Sequence, residues 1–405
     1  MMTTKQNEVY RCFLEENPRI LIASGAKRAG KTFIMDYIFL HHISRFRDQG
    51  LSFILAGATQ AAVRRNVLDD LELILGKDLT LDKSNAVEIF GNKVYVFDGS
   101  KSDSWKKARG FTAAGAFLNE ATALHDTFVK EVISRCSYEG ARVFIDTNPE
   151  NPMHPIKRDY IDQSDQRLSN GQLNIKAFNF TLFDNTLLDP EYIESMIEST
   201  PSGMFTDRDI YGRWVSAEGI VYRDFNTIRH IKTKEEIRKL NFIKYIAGVD
   251  WGYEHKGAIM VLAQDDTERW YVIEEHADQY QEIDYWVGIA KIIQERYGNI
   301  PFYCDSARPE HVDRFKREKI RAMNADKSVL SGIEQVARLF KTDSLFIVDD
   351  ATETLDELQY YAWNGNTGEP IKMHDDALDA IRYAIYSDYT GKGQVRTIDK
   401  RRLGV

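Results

Sequence analysis

Gly25-Ala26-Lys27-Arg28-Ala29-Gly30-Lys31-Thr32 follows an apolar run over residues 19–24 and precedes Phe33-Ile34-Met35-Asp36-Tyr37-Ile38, which opens a helical pattern. It fits the spacing G-x-x-x-x-G-K-[ST] at every fixed position, in the strand-loop-helix context that spacing requires. A loop of this kind aims several backbone N–H groups and a helix N-terminus at a phosphate. Lys31 then reaches the β- and γ-phosphate oxygens, and the Thr32 hydroxyl holds Mg²⁺. Gly25 and Gly30 let the backbone come close. Lys27, Arg28 and Ala29 lie inside the same loop, its two cations being either charge stabilisers for a transferred phosphoryl group or plain solvated side chains.

A phosphate loop needs a second strand whose end carries acidic chemistry, and in the first half of the chain Ala116-Phe117-Leu118-Asn119-Glu120 has that form. Glu120 is the candidate general base. Asn119 stands where an aspartate normally holds the metal's water. An amide keeps the oxygen and loses the charge, so a weakened ATPase that only binds nucleotide is one reading of the chain. Upstream, Arg109 in Lys106-Lys107-Ala108-Arg109-Gly110-Phe111 is a further candidate for charge stabilisation, whereas Lys106 and Lys107 read as surface cations, with DNA contact as the alternative.

Around these motifs, apolar runs at 19–24, 52–59, 113–119 and 141–147 are separated by helix-length segments, which predicts an α/β fold with a parallel sheet covered on both faces. Residues 87–97 predict a hairpin about Gly91-Asn92. The proline-dense Asn148-Pro149-Glu150-Asn151-Pro152-Met153-His154-Pro155 is expected to end this sheet, with helices at 190–199 and 204–214 beyond it. A second alternating region begins at 242–250 and continues through strands at 257–263 and 269–274, the pattern of an antiparallel meander. The expected division is 1–160, 161–235 as a helical lid and linker, 236–390, and a basic tail over 391–405.

In the second region Asp250 ends a strand, Asp305 ends the short apolar run Ile300-Pro301-Phe302-Tyr303-Cys304, and Asp376 and Asp379 share one face of a helix at i,i+3 spacing. Carboxylates converging from two strand ends and one helix repel unless divalent cations neutralise them. Two such ions about 4 Å apart would activate water and stabilise the leaving oxygen in phosphodiester cleavage. Taken singly, each aspartate reads equally as a cap or a turn residue.

The bulk composition is that of a globular chain: 405 residues, 43% hydrophobic, 28% charged, formal net charge −9. That charge does not exclude nucleic acid, because one basic groove suffices. The N-terminus lacks a signal-peptide core and no apolar run approaches the roughly 18 residues of a membrane span, so a cytoplasmic location is expected. Cys12, Cys136 and Cys304 are too scattered for a disulfide or zinc framework and read as buried thiols.

As an ordered set, the P-loop, Phe117-Leu118-Asn119-Glu120-Ala121, Asp146-Thr147-Asn148-Pro149, Gly248-Val249-Asp250-Trp251-Gly252, Cys304-Asp305-Ser306 and Asp376-Ala377-Leu378-Asp379 resemble the large terminase subunit of tailed bacteriophages over almost the whole chain. The resemblance implies an additional-strand, RecA-like P-loop ATPase followed by an RNase H-like nuclease. It also implies ATP and Mg²⁺ as cofactors, with Mn²⁺ an option in the nuclease. The implied partners are double-stranded DNA, the procapsid portal and a small terminase subunit, and the chain would form a homo-oligomeric ring on the portal in the bacterial host cytoplasm. By resemblance Gln6 contacts adenine, and Arg109 reaches a neighbouring subunit's ATP site. Thr147 couples phosphate loss to motion, while Asp250, Asp305 and Asp379 bind metal, with Asp376 where many relatives have histidine. A helicase-nuclease of repair or defence, and a nucleotide-binding scaffold, are the alternatives.

Overall fold

The structure, a computed structural model, describes residues 2–365 and 367–393; the expected basic tail lies outside the described residues from 394 on. Contacts divide the chain into two compact units. One comprises the residues up to Ile197 with Met204–Ser216, and the other comprises Glu198–Gly203 with the residues from Ala217 onward.

The first unit is built on strands β1 (Ile20–Gly25), β2 (Ser52–Gly57), β3 (Ala86–Ile89), β4 (Asn92–Asp98), β5 (Gly115–Leu118), β6 (Arg142–Thr147) and β7 (Ile175–Phe180), in the spatial order β3-β4-β2-β5-β6-β1-β7. All neighbours run parallel except β3 and β4, which form the expected hairpin, turning through Phe90 and Gly91 with positive φ at both. Both faces are buried. Leu21, Ala23, Phe53, Leu55, Phe117 and Phe144 pack into one core, and their alternating neighbours Ile20, Ile22, Ile54, Ala56, Ala116 and Ile145 into another. That two-sided burial is why these strands read as unbroken apolar runs. Helix α1 (Thr4–Glu15) starts at a capping box in which Thr3 and Gln6 bond reciprocally, and α2 (Lys31–Ser44) springs from the phosphate loop.

The proline-dense loop does not end the sheet. β7 lies beyond it and pairs in parallel with β1 from Ile20↔Ile175 to Gly25↔Phe180. It is an edge strand with Lys176 and Asn179 off the core, so its apolar signal is weak. The helix expected over 204–214 stops at Asp209. Gly212, at φ 67°, lies so close to the P-loop strand that a Cβ would meet Phe180 O at 2.2 Å and Gly25 Cα at 2.9 Å. Trp214 Nε1 then donates to Ser24 Oγ at 2.8 Å. Within the interval 161–235, β7 completes the first sheet and β8 (Ile231–Lys232) belongs to the second.

The second unit adds β9 (Phe242–Asp250), β10 (Gly257–Asp265), β11 (Trp270–Asp278), β12 (Phe302–Cys304), β13 (Ala322–Asn324) and β14 (Leu345–Val348), ordered β13-β12-β9-β10-β11-β14-β8. β9, β10 and β11 form the antiparallel meander, and β12 joins β9 in parallel. A three-stranded meander extended by parallel strands beside its first member is the RNase H-like order. The long helix Asp376–Gly393 crosses this sheet against β9 and β10. Gly248 permits the crossing, since a Cβ there would stand 1.8 Å from Ala380 O. Cys136 and Cys304 are buried and Cys12 is partly so; all three are free thiols.

Candidate functional site

The phosphate loop is held open by its own backbone. Gly25 (φ 143°), Arg28 (φ 58°) and Gly30 (φ 83°) take positive φ, and a Cβ on Gly25 would sit 2.0 Å from Phe180 O. Lys31 is buried, and its Nζ donates to Gly25 O at 2.9 Å, Ala26 O at 2.5 Å and Asn148 Oδ1 at 3.0 Å. Burial lowers its pKa to about 8, against the pull of Asp146 and Glu120. Lys27 pairs with Asp209 at 2.9 Å, and the Arg28 carbonyl accepts from Asn185 Nδ2 at 2.7 Å. Ala29 is buried.

Together Lys31, Thr32, Glu120, Asp146, Thr147 and Asn148 line a cavity of about 690 Å³ that also includes Lys27, Arg28, Ala29 and Gly30. Glu120 closes β5 in a left-handed conformation at φ 50°. Its carboxyl is raised by burial and by Asp146, with Lys31 and Arg65 pulling the other way. Asn119 is buried, its Nδ2 3.0 and 3.1 Å from the two Asp146 oxygens. Thr32 Oγ1 donates to Asp146 Oδ2 at 2.5 Å, and the Glu120 N–H donates to Oδ1 at 2.7 Å. Thr147 Oγ1 accepts from the Thr122 N–H at 3.2 Å.

Four sequence candidates, Gln6, Gly25, Arg109 and Asn119, stand apart from the cavity lining. Gln6 lies beneath the loop, its Oε1 accepting from the Thr3 N–H at 2.8 Å and its Nε2 donating to Gly30 O at 3.0 Å. Both ends of its amide are thus engaged. Arg109 is exposed and rests over the Trp105 ring at 5.6 Å. Several lining residues were given no role of their own by the sequence reading, among them Arg65, Asn66 and Asp146. Arg65 and Asn66 enter from the π-turn Arg64–Leu68, and Asp146 is the last residue but one of β6. A π-turn has no sequence signature, but Asp146, which closes an apolar run before Thr-Asn-Pro, was open to view.

In the second unit β9 and β12 end level, the Asp305 N–H donating to Val249 O at 2.9 Å, so Asp250 and Asp305 stand on adjacent strand ends. Asp379 comes from the crossing helix beside Ala380, the residue against Gly248. Burial pushes the Asp250 carboxyl well above the usual range, and the charges of Asp379, Asp305, Asp376 and Asp375 add to it. Burial and the neighbouring charges of Asp379 and Asp376 carry Asp375 to about 6. Asp305 is paired with Lys327, Asp379 with Arg382 at 2.8 Å, and Asp376 with His255 Nδ1 at 2.7 Å. Tyr383 OH donates to Asp379 Oδ2 at 3.3 Å.

The expected convergence is thus one of neighbourhood. Among the described residues no three His, Cys, Asp or Glu side chains are gathered as ligands of one ion. Like charges separate unless a cation stands between them, and here Lys327 and Arg382 hold two of the three. The donor set nevertheless suits a hard divalent cation. It is all carboxylate, its charges act together on Asp250, and the Asp250 side chain takes no hydrogen bond or ion pair among the described residues. A further carboxylate of the same sheet, Glu274 on β11, is held by other partners. Burial opposes its charge, but hydrogen bonds from His276, Tyr297 and Arg296 prevail and hold it down at about 2.

Residues 22–227, just over half of the chain, match the family model described as terminase large subunit, T4likevirus-type, N-terminal. The terminase large subunit of Escherichia phage T5 is 28% identical over 189 residues, which are 43% of this chain and 43% of that protein, so the match spans less than half of the relative's length. The large terminase from a thermophilic bacteriophage, in complex with ADP, is similar at 26% identity and TM-score 0.79, over 94% of this chain and 98% of that one. The same phage's protein in complex with ATP-gamma-S gives 25% identity and TM-score 0.80, over 96% and 99%.

Proposed function

The chain belongs to the terminase large-subunit family, and from that premise we propose that it is an ATP-driven translocase of double-stranded viral DNA that also cleaves that DNA with a metal-dependent endonuclease. The observation that carries the first activity is the placement of Lys31, Thr32 and Glu120 around one cavity at the ends of parallel strands. Its volume, about 690 Å³, suits a nucleotide.

Phosphate oxygens would take the Lys31 ammonium donors now engaged by the Gly25 and Ala26 carbonyls. The loop N–H groups and the start of α2 add fixed dipoles at the same place. Glu120, kept basic by burial, would accept the proton of the attacking water. Thr32 would hold Mg²⁺, which draws charge from the leaving oxygens. Arg109, exposed and away from its own cavity, fits a role in a neighbouring subunit of a ring. Binding of ATP-gamma-S and ADP by the thermophilic-phage relative supports the nucleotide.

For cleavage, Asp250, Asp305 and Asp379 would hold the divalent ions, with Asp376 beside them. Mg²⁺ or Mn²⁺ there would supply an activated water and neutralise the leaving oxygen. Lys327, which now meets the Asp305 charge, would be freed toward the DNA backbone, while the buried Arg382 stays beside Asp379. The implied setting is the bacterial cytoplasm, on the portal of a procapsid and with a small terminase subunit as partner. Among the described residues no helix is long and apolar enough to cross a membrane.

The test is ATP turnover in the presence of portal-bearing proheads and DNA. Turnover in the wild type that is lost in Lys31→Ala and in Glu120→Gln supports the motor. An inert wild type that still binds nucleotide supports the scaffold instead.

A further inference from the structure

We propose that Asp146, the last residue but one of β6, supplies the carboxylate beside Thr32 that a P-loop metal requires, in place of the aspartate missing at position 119. The proposal rests on the reading of this cavity as an ATP site and assigns the group that makes it cation-competent.

β6 lies between β1 and β5, so its end stands between the phosphate loop and the end of the strand that carries Asn119 and Glu120. The register of β5 on β6 runs from Gly115↔Arg142 to Leu118↔Ile145, and one step further brings residue 119 level with Asp146. Their contact is direct: Asn119 Nδ2 lies 3.0 and 3.1 Å from the two carboxylate oxygens. The amide oxygen turns away and accepts from Asn66 Nδ2 at 3.3 Å. Asn119 is therefore used as a donor that orients a carboxylate, and not as a carboxylate surrogate.

A hydroxyl that ligates a cation must first place its own proton elsewhere. Thr32 Oγ1–H points at Asp146 Oδ2 over 2.5 Å, which leaves the oxygen lone pairs of Thr32 free for an ion. The Glu120 N–H, 2.7 Å from Oδ1, fixes the other side of the same carboxylate. Asp146 is buried, so its charge acts with little solvent screening. An aspartate at 119 as well would put two carboxylates in contact in a buried site. With an amide there, repulsion becomes a hydrogen bond. One negative charge is kept, moved one strand across.

Asp146 is a positioning residue on this argument, and its test is the magnesium dependence of nucleotide binding, not turnover. Fluorescent ADP is titrated onto the full chain in EDTA and over a range of Mg²⁺ concentrations. In Asp146→Asn the Mg²⁺ concentration that gives half the affinity gain, measured against that variant's own affinity in EDTA, is expected to rise roughly tenfold or more, as for other groups that orient a metal ligand. The exchange variant Asn119→Asp/Asp146→Asn preserves the number of charges and donors, and is expected to return the midpoint to near the wild-type value. This second variant also decides the matter if the single one folds poorly by thermal melting. A wild-type midpoint in Asp146→Asn, or an exchange variant with no recovery, overturns the proposal. Wild-type protein that binds no ADP under either condition removes the ATP-site reading itself, and the proposal with it.

Discussion

Asp36 shows how much a single side chain in this fold can cost. It lies on α2, one turn beyond Thr32, fully buried, with both carboxyl oxygens lacking a hydrogen-bond partner among the described residues. Burial raises its pKa well above the usual value, and Asp146 and Asp70 add to the shift. The folded state therefore holds a proton that the unfolded state releases at about its ordinary pKa. Stability drawn from this group is greatest below that value and declines as pH rises toward the raised one. Asp36→Asn removes the ionisation. It is expected to stabilise the chain at pH 8 by about 1 kcal/mol or more, with the gain shrinking toward pH 4, in denaturant melts of both proteins across that range. A gain independent of pH would show that the proton is not the cause. The phosphate loop was fully legible in residues 25–32 because its spacing is itself the mechanism. The partners of Asn119 were not, since they depend on which strand lies next to β5.

At the level of elements, the second site is made by one close crossing. The helix Asp376–Gly393 reaches the Asp250 and Asp305 strand ends because position 248 carries no side chain. Gly248→Ala would drive a Cβ into the Ala380 carbonyl at 1.8 Å, so the helix must lift and carry Asp379 with it. A loss of about 1–3 kcal/mol is expected in the melting of the second unit, together with a loss of metal-dependent plasmid cleavage. ATP turnover should persist, and cleavage at the wild-type rate would mean that Asp379 is not needed near β9. The meander and the strand-ending aspartates could be read from alternation and turn residues. β7 could not, because edge strands mix polar and apolar residues, and the proline-dense loop before it looked like a boundary. Gly212 likewise ended a helix that periodicity alone would have continued.

For the molecule as a whole, the net charge of −9 is no obstacle to DNA, because the cations that matter are local to each site. Lys327 and Arg382 in the second unit are set directly against the aspartates that a metal would take over. If Arg109 works across a ring, two inactive variants should complement each other. Lys31→Ala lacks phosphate binding but keeps Arg109, and Arg109→Ala lacks only the donated cation. Mixed on portal-bearing proheads, they are expected to recover part of the turnover that neither has alone. No recovery at any ratio would place Arg109 outside the neighbouring site.

The two activities are read from two separate sets of side chains, and that separation is most directly measured by assaying ATP turnover and Mn²⁺-dependent plasmid cleavage on the same preparations of wild type, Glu120→Gln and Asp250→Asn. Glu120→Gln should abolish turnover and still cut, and Asp250→Asn should abolish cutting and still turn over ATP. Cleavage that survives Asp250→Asn at the wild-type rate would contradict the assignment of the carboxylate site.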